Sequence, residues 1–157
     1  MRSNSKNHRT RGIRFRLNQR EPLIVVRGMV NGKGPFAFAV DTGASMTVIS
    51  PAVARRAGIS LKGTRAKAAG VDGYLDATIA KARSVKIGSL KATNLKVAIV
   101  SLALINRSTR LKLGGIIGYN ILKRYQVTID YPTREIFFHA PRIDRRKSLG
   151  ISNGGMK

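Results

Sequence analysis

Apolar residues fall in short runs broken by glycine, proline and polar clusters. Residues 23–30, 36–40, 46–50, 82–87, 95–100, 125–131 and 135–139 are rich in Val, Ile, Phe and Tyr and read as strands. Asn31-Gly32, the strongest short hairpin signal, opens the turn through Pro35 that joins the first two. Gly88-Ser89 and Pro132-Thr133 mark two further turns. Ser50 before Pro51, with Gly58 seven positions on, reads as an N-cap, a first-turn proline and a glycine stop, hence a short helix. Ile121, Leu122 and Tyr125 form an apolar stripe on a helix over 119–125.

The pattern loosens in three places. Residues 62–78 carry two glycines, Gly70 and Gly73, around the tip Val71-Asp72, with strand-capable residues on either side, which predicts a mobile hairpin. Residues 102–113 mix apolar and basic positions, and we assign no element there. Residues 13–17 alternate apolar and basic with period two, which fits either an edge strand or a solvated tail. No fixed-period repeat is present, although two strand–turn–helix units suit an approximate internal two-fold.

At 157 residues and 43% apolar content, one domain with a real core is expected. No run approaches the ~20 apolar residues of a membrane span. The absence of cysteine excludes disulfides, a thiol nucleophile and thiolate metal sites. His8 and His139 stand far apart without neighbouring ligands, so no metal site and no cofactor are expected. Gly32-Lys33-Gly34 lacks the helix and spacing of a phosphate loop.

Charge changes the picture more. Thirty Lys and Arg face seven Asp and Glu, a net of +23. Such a balance bears on solubility and on attraction to polyanions, not on fold. Residues 1–20 hold seven basic side chains and no acid, and residues 21–141 hold 18 basic and 6 acidic. We therefore expect a flexible basic arm over 1–20, a folded domain over 21–141 and a disordered basic, Gly-rich tail over 142–157. The arm suits nonspecific polyanion binding. No continuous apolar segment marks a secretory signal in the first twenty residues, which favours the cytoplasm; an Arg-rich, acid-free start also fits organelle targeting.

The one constellation with chemical promise follows the strand over 36–40, which delivers Asp41 into the turn Thr42-Gly43-Ala44-Ser45. Gly43 lets backbone N–H groups approach the carboxylate, and Thr42 offers a hydroxyl that can tie the turn to neighbouring backbone. Taken alone, Asp-Thr-Gly also fits an ordinary polar turn.

In context, Val40-Asp41-Thr42-Gly43-Ala44-Ser45 resembles the active-site turn of retroviral-type aspartic proteases. Gly115-Ile116-Ile117-Gly118, running into the helix at 119–125, resembles the segment behind that turn, and the likeness spans roughly residues 22–138. The resemblance implies an all-β, small closed barrel-like acid-protease fold with a flap hairpin and one short C-terminal helix. It makes Asp41 catalytic, with Thr42, Gly43 and Ala44 supporting the turn. It assigns Gly70, Val71, Asp72, Gly73 and Tyr74 to the flap and substrate contacts, and Ile116, Ile117 and Gly118 to the second motif. Single-motif members are obligate dimers, because hydrolysis by water uses two adjacent carboxylates sharing a proton, one as base and one as acid. This chain has one such turn, so the resemblance implies a homodimer acting on a peptide or protein. It departs from the family at Tyr119, where an arginine usually follows the second-motif glycine and buttresses the dimer. Two other readings stand beside it: a dimerising peptide-binding module of the same fold without catalysis, and a basic nucleic-acid-binding protein resting on charge alone.

Overall fold

The computed structural model describes residues 11–17, 22–70 and 73–140. Its elements in chain order begin with β1 (Ile13–Arg14), β2 (Arg16–Leu17), β3 (Ile24–Val30), β4 (Lys33–Val40) and β5 (Val48–Ile49). Helix α1 (Pro51–Arg56) follows, then β6 (Thr64–Gly70), β7 (Gly73–Ile87) and β8 (Leu90–Ile99). The chain continues through α2 (Ala103–Thr109), β9 (Leu113–Ile117), α3 (Tyr119–Leu122), β10 (Gln126–Asp130) and β11 (Glu135–His139). The fold is all-β, as expected, built on a small closed barrel.

The hydrogen-bonded order β3-β4-β9-β5-β8-β7 closes because β7 also pairs with β3, through Met29↔Lys86 and Val30↔Val85. Closure leaves no exposed edge within the ring. Strands β2 and β6 extend the sheet outside it, and β1, β11 and β10 form a separate three-stranded sheet.

Local chemistry accounts for most of the turns. Asn31 and Gly32 both take positive φ, 50° and 78°, as a two-residue turn between twisted strands requires. Ser50 caps α1 by accepting the Val53 N–H at 3.2 Å, Pro51 opens it, and Gly58 leaves it at φ 64°. Phe36 and Phe38 on β4 enter the main core with Val26, Ile49, Val97, Ile117 and Ile121. The alternate residues Ala37 and Ala39 face a second, smaller cluster with Val25, Leu102 and Leu113.

Several elements differ from the pattern reading. Strand β7 runs unbroken from Gly73, absorbing residues assigned to a loose segment, because it pairs with β6 along its first half and with β8 beyond. Strand β5 is only two residues long, and α3 is a single turn. Helix α2 occupies a stretch given no element; Leu102 and Ile105 there lie against the Val25–Ala39–Leu113 cluster. Residues 13–17 form β1 and β2, with Phe15 between them buried in the core, so the alternation there is strand rather than tail. The flanking residues 1–10 and 18–21, and the segment 141–157, lie outside the described residues.

Candidate active site

Asp41 follows the last residue of β4. Its backbone N–H donates to Ile117 O at 3.0 Å, which continues the parallel pairing of β4 with β9 for one more residue. Ile116 and Ile117, with Gly118 after them, therefore lie directly beside the Asp41 turn. The Gly43 N–H donates to Asp41 Oδ1 at 2.8 Å. This bond fixes the carboxylate rotamer from within the turn. A Cβ on Gly43 would stand 3.2 Å from the same oxygen, tighter than a relaxed contact. Asp41, Thr42 and Gly43 are exposed, Ala44 is half-buried, and the Thr42 side chain makes no hydrogen bond among the described residues.

The turn is held from behind. Ala44 O accepts the Tyr119 N–H at 2.7 Å. Thr47 is fully buried; its hydroxyl donates to Asn120 Oδ1 at 2.8 Å and accepts the Gly118 N–H at 3.2 Å. Asn120 in turn donates to Lys96 O at 2.8 Å, tying α3 to β8. At Gly118 a Cβ would lie 2.6 Å from the Met46 carbonyl oxygen, so only glycine permits this approach. Gly115 is similarly enclosed by the Phe38 ring and the Val48 carbonyl. Thr47 and Asn120 went unnoticed in the sequence, since their pairing spans 73 residues and follows no motif.

Tyr119, the departure from the family pattern, is 55% exposed, and the Lys123 ammonium lies 5.4 Å from its ring centroid.

The hairpin assigned to the flap is present. Residues 64–70 pair with 73–79 in antiparallel register, ending at Gly70↔Gly73. Gly73 takes φ 117° and Tyr74 is 78% exposed. Val71 and Asp72 lie outside the described residues. Lys67 Nζ stands 2.6 Å from Asp76 Oδ1, directly across the two strands. The Lys67 hydrogen bond and charge hold the Asp76 carboxyl below its ordinary value of 3.8.

A cleft of about 610 Å³ opens beside Asp41. Leu23, Ala39, Leu113 and Ile116 contribute to its apolar lining, and Leu104, Ile105 and Arg107 of α2 complete one side. The sequence reading included none of the α2 residues in a site. Among the described residues no cluster of His, Cys, Asp and Glu is suited to a metal, and no helix is long and apolar enough to cross a membrane.

The sequence profile of the family described as "gag-polyprotein putative aspartyl protease" matches residues 26–124, from β3 through α3. The chain belongs to this aspartyl protease family. Among solved structures, a retropepsin-like aspartic protease from Rickettsia conorii shares the fold, with TM-score 0.60 and 22% identity over 83% of this chain and 90% of that one. The EIAV protease in complex with an inhibitor aligns with TM-score 0.46 and 18% identity, over 63% of this chain and 84% of that one. A comparison with curated proteins found no match.

Proposed function

We propose that the protein is an aspartic endopeptidase in which two Asp41 carboxylates, one from each chain of a homodimer, activate water against a peptide bond. One carboxylate accepts a proton from the water as it attacks the carbonyl carbon. The other donates a proton to the carbonyl oxygen, and the roles exchange as the amine leaves. The observation that carries this reading is the lone Asp41, presented uncovered at the end of β4 with its rotamer fixed by the Gly43 N–H. The other acids among the described residues lie on other elements. Asp76 pairs with Lys67 on the hairpin, Asp130 accepts the Thr133 N–H, and Glu135 lies in β11 opposite Arg14. A two-fold axis through the turn supplies the missing partner from an identical surface.

In this reading Thr42, Gly43 and Ala44 shape the turn, and Gly118 holds it from behind. Gly70, Val71, Asp72, Gly73 and Tyr74 cover the substrate. Residues 21–141 are the protease domain, with β1 and β2 of the basic segment 1–20 packed onto it, and that segment adds nonspecific polyanion affinity.

The test is hydrolysis of a mixed peptide library by the purified protein across pH, with Asp41→Asn as the control. Turnover that disappears in Asp41→Asn supports the reading. Peptide binding without turnover in the wild-type protein would favour the non-catalytic module instead.

A further inference from the structure

Ala37 and Ala39 of β4, with Asp41 just after it, fall on one face of the sheet, and Val25 and Arg27 of β3, with Leu23 just before it, fall beside them. The Asp41 cleft uses the near part of this face, Ala39 and Leu23. The far part, Ala37, Val25 and Arg27, lines a second groove of about 730 Å³. Thr109, at the end of α2, lines both, so the two basins adjoin.

The second groove has a distinct chemistry. Arg14, Arg16, Arg27, Arg110 and Lys112 all line it, and no acid among the described residues does. All five are exposed. The fold brings them together from four places: Arg16 pairs opposite Val25 on β2, Arg14 belongs to β1, Arg27 to β3, and Arg110 and Lys112 join α2 to β9. Arg110 takes the left-handed conformation, φ 55°, to leave the helix. None of the five has an ion-pair partner among the described residues, where Lys67–Asp76 is the one salt bridge. Arg14 faces Glu135 across β1 and β11, but the lining itself offers the five cations no counter-charge among the described residues, and such a cluster raises the local concentration of anions. The floor beneath them is apolar, with Phe15, Val25 and Leu111.

We infer that this groove binds an acidic segment of the polypeptide whose scissile bond lies at Asp41. The inference rests on the peptidase reading for its substrate. Asp41 stands four positions beyond Ala37 along the extended chain, about 13 Å. An extended peptide in the Asp41 cleft reaches the cations on the order of four residues from the cleaved bond. Continuity with a peptide cleft and an apolar floor favour a peptide over a nucleic acid.

Binding is measured on the full-length Asp41→Asn chain, which makes it independent of turnover. The probes are a fluorescein-labelled peptide of alternating Glu and Ala and its Gln counterpart. The Glu peptide should bind at least about tenfold tighter. Arg27→Gln with Arg110→Gln should raise its Kd about tenfold. Lys81→Gln with Lys96→Gln, which removes the same charge from β7 and β8, should change it less than about twofold. Equal losses in both double variants, or none in the groove variant, would overturn the inference. So would a labelled oligothymidylate that binds the groove more tightly with the same sensitivity to Arg27 and Arg110. In catalysis, a cleaved peptide carrying Glu four residues from the scissile bond should show a lower KM than its Gln analogue, with kcat unchanged. That difference should vanish in the groove variant; its persistence would overturn the assignment. Failure of all turnover would sink the peptidase reading, whereas the binding result on Asp41→Asn would stand.

Discussion

Asn120 Oδ1 accepts two hydrogen bonds from Thr47, one from its backbone N–H at 2.9 Å and one from its hydroxyl at 2.8 Å. The same hydroxyl accepts the Gly118 N–H. One buried threonine thus joins the segment after the Asp41 turn to the start of α3, and both to the end of β9. Position is the product: these bonds, with Asp41 N–H to Ile117 O and Tyr119 N–H to Ala44 O, hold the backbone behind the carboxylate.

Thr47→Val keeps the shape and removes the hydroxyl. The Gly118 N–H would then be buried without an acceptor, which costs about 2 kcal/mol. Urea unfolding should show a lower midpoint with an unchanged slope. Thr47→Ser should recover most of the loss. Equal stability of wild type and Thr47→Val would mean that the bond contributes nothing.

Gly43→Val should separate folding from activity. The turn is exposed, so stability should stay within about 0.5 kcal/mol. The branched side chain begins 3.2 Å from Asp41 Oδ1 and must push the carboxylate aside. A displacement of that kind costs on the order of a hundredfold in rate. Gly43→Ala should lie between wild type and Gly43→Val. Full peptidase activity in a folded Gly43→Val protein would show that the 2.8 Å bond does not set the carboxylate's working position.

The Lys67–Asp76 pair gives the hairpin a pH signature. Lys67 lowers the folded-state pKa of Asp76 below 3.8. A depressed carboxylate pKa contributes stability that is present above the unfolded value and lost as pH falls through the folded one. The window therefore lies at and below 3.8, and salt should narrow it because the pair is exposed. An NMR titration of the Asp76 carboxyl in wild type and Lys67→Gln checks this. The variant should titrate closer to 3.8; identical curves would show that the contact does not persist in solution.

Sequence legibility followed how local the causes were. Asn31-Gly32, the Ser50–Pro51–Gly58 frame and the Gly43 N–H on Asp41 each have their cause in adjacent residues, although the first turn ends at Gly32 instead of Pro35 and the Thr42 hydroxyl makes no hydrogen bond among the described residues. Helix α2 does not. Its N-cap is Leu102, which makes no side-chain capping bond, and its interior includes Ile105 and Asn106. It exists because Leu102 and Ile105 cover the Val25–Ala39–Leu113 face, a contact between distant segments. The early half of β7 is rich in Ala and polar residues, weak strand formers that neighbouring β6 and β8 hold in place. The basic groove was equally hidden: its five cations read as general charge until β1, β2, β3 and the α2–β9 connection brought them to one basin.

The shared site makes a quantitative prediction. If each working site takes one Asp41 from each of two chains, an inactive chain disables any wild-type chain it pairs with. Hold wild type constant, add Asp41→Asn chains, and allow exchange to complete. The fraction of wild-type chains paired with wild type then equals their share of the pool, because the substitution leaves the isologous surface otherwise unchanged. Activity should fall to about half at an equimolar mixture and about a tenth at ninefold excess. A heterodimer retaining one carboxylate cannot supply both acid and base, so its residual rate should be small. A folded but unrelated basic protein at the same concentration should leave activity unchanged, which excludes loss of substrate to nonspecific binding. Activity that stays constant through exchange would require both catalytic groups to lie within one chain, and none of the acids among the described residues besides Asp41 stands in the turn to serve.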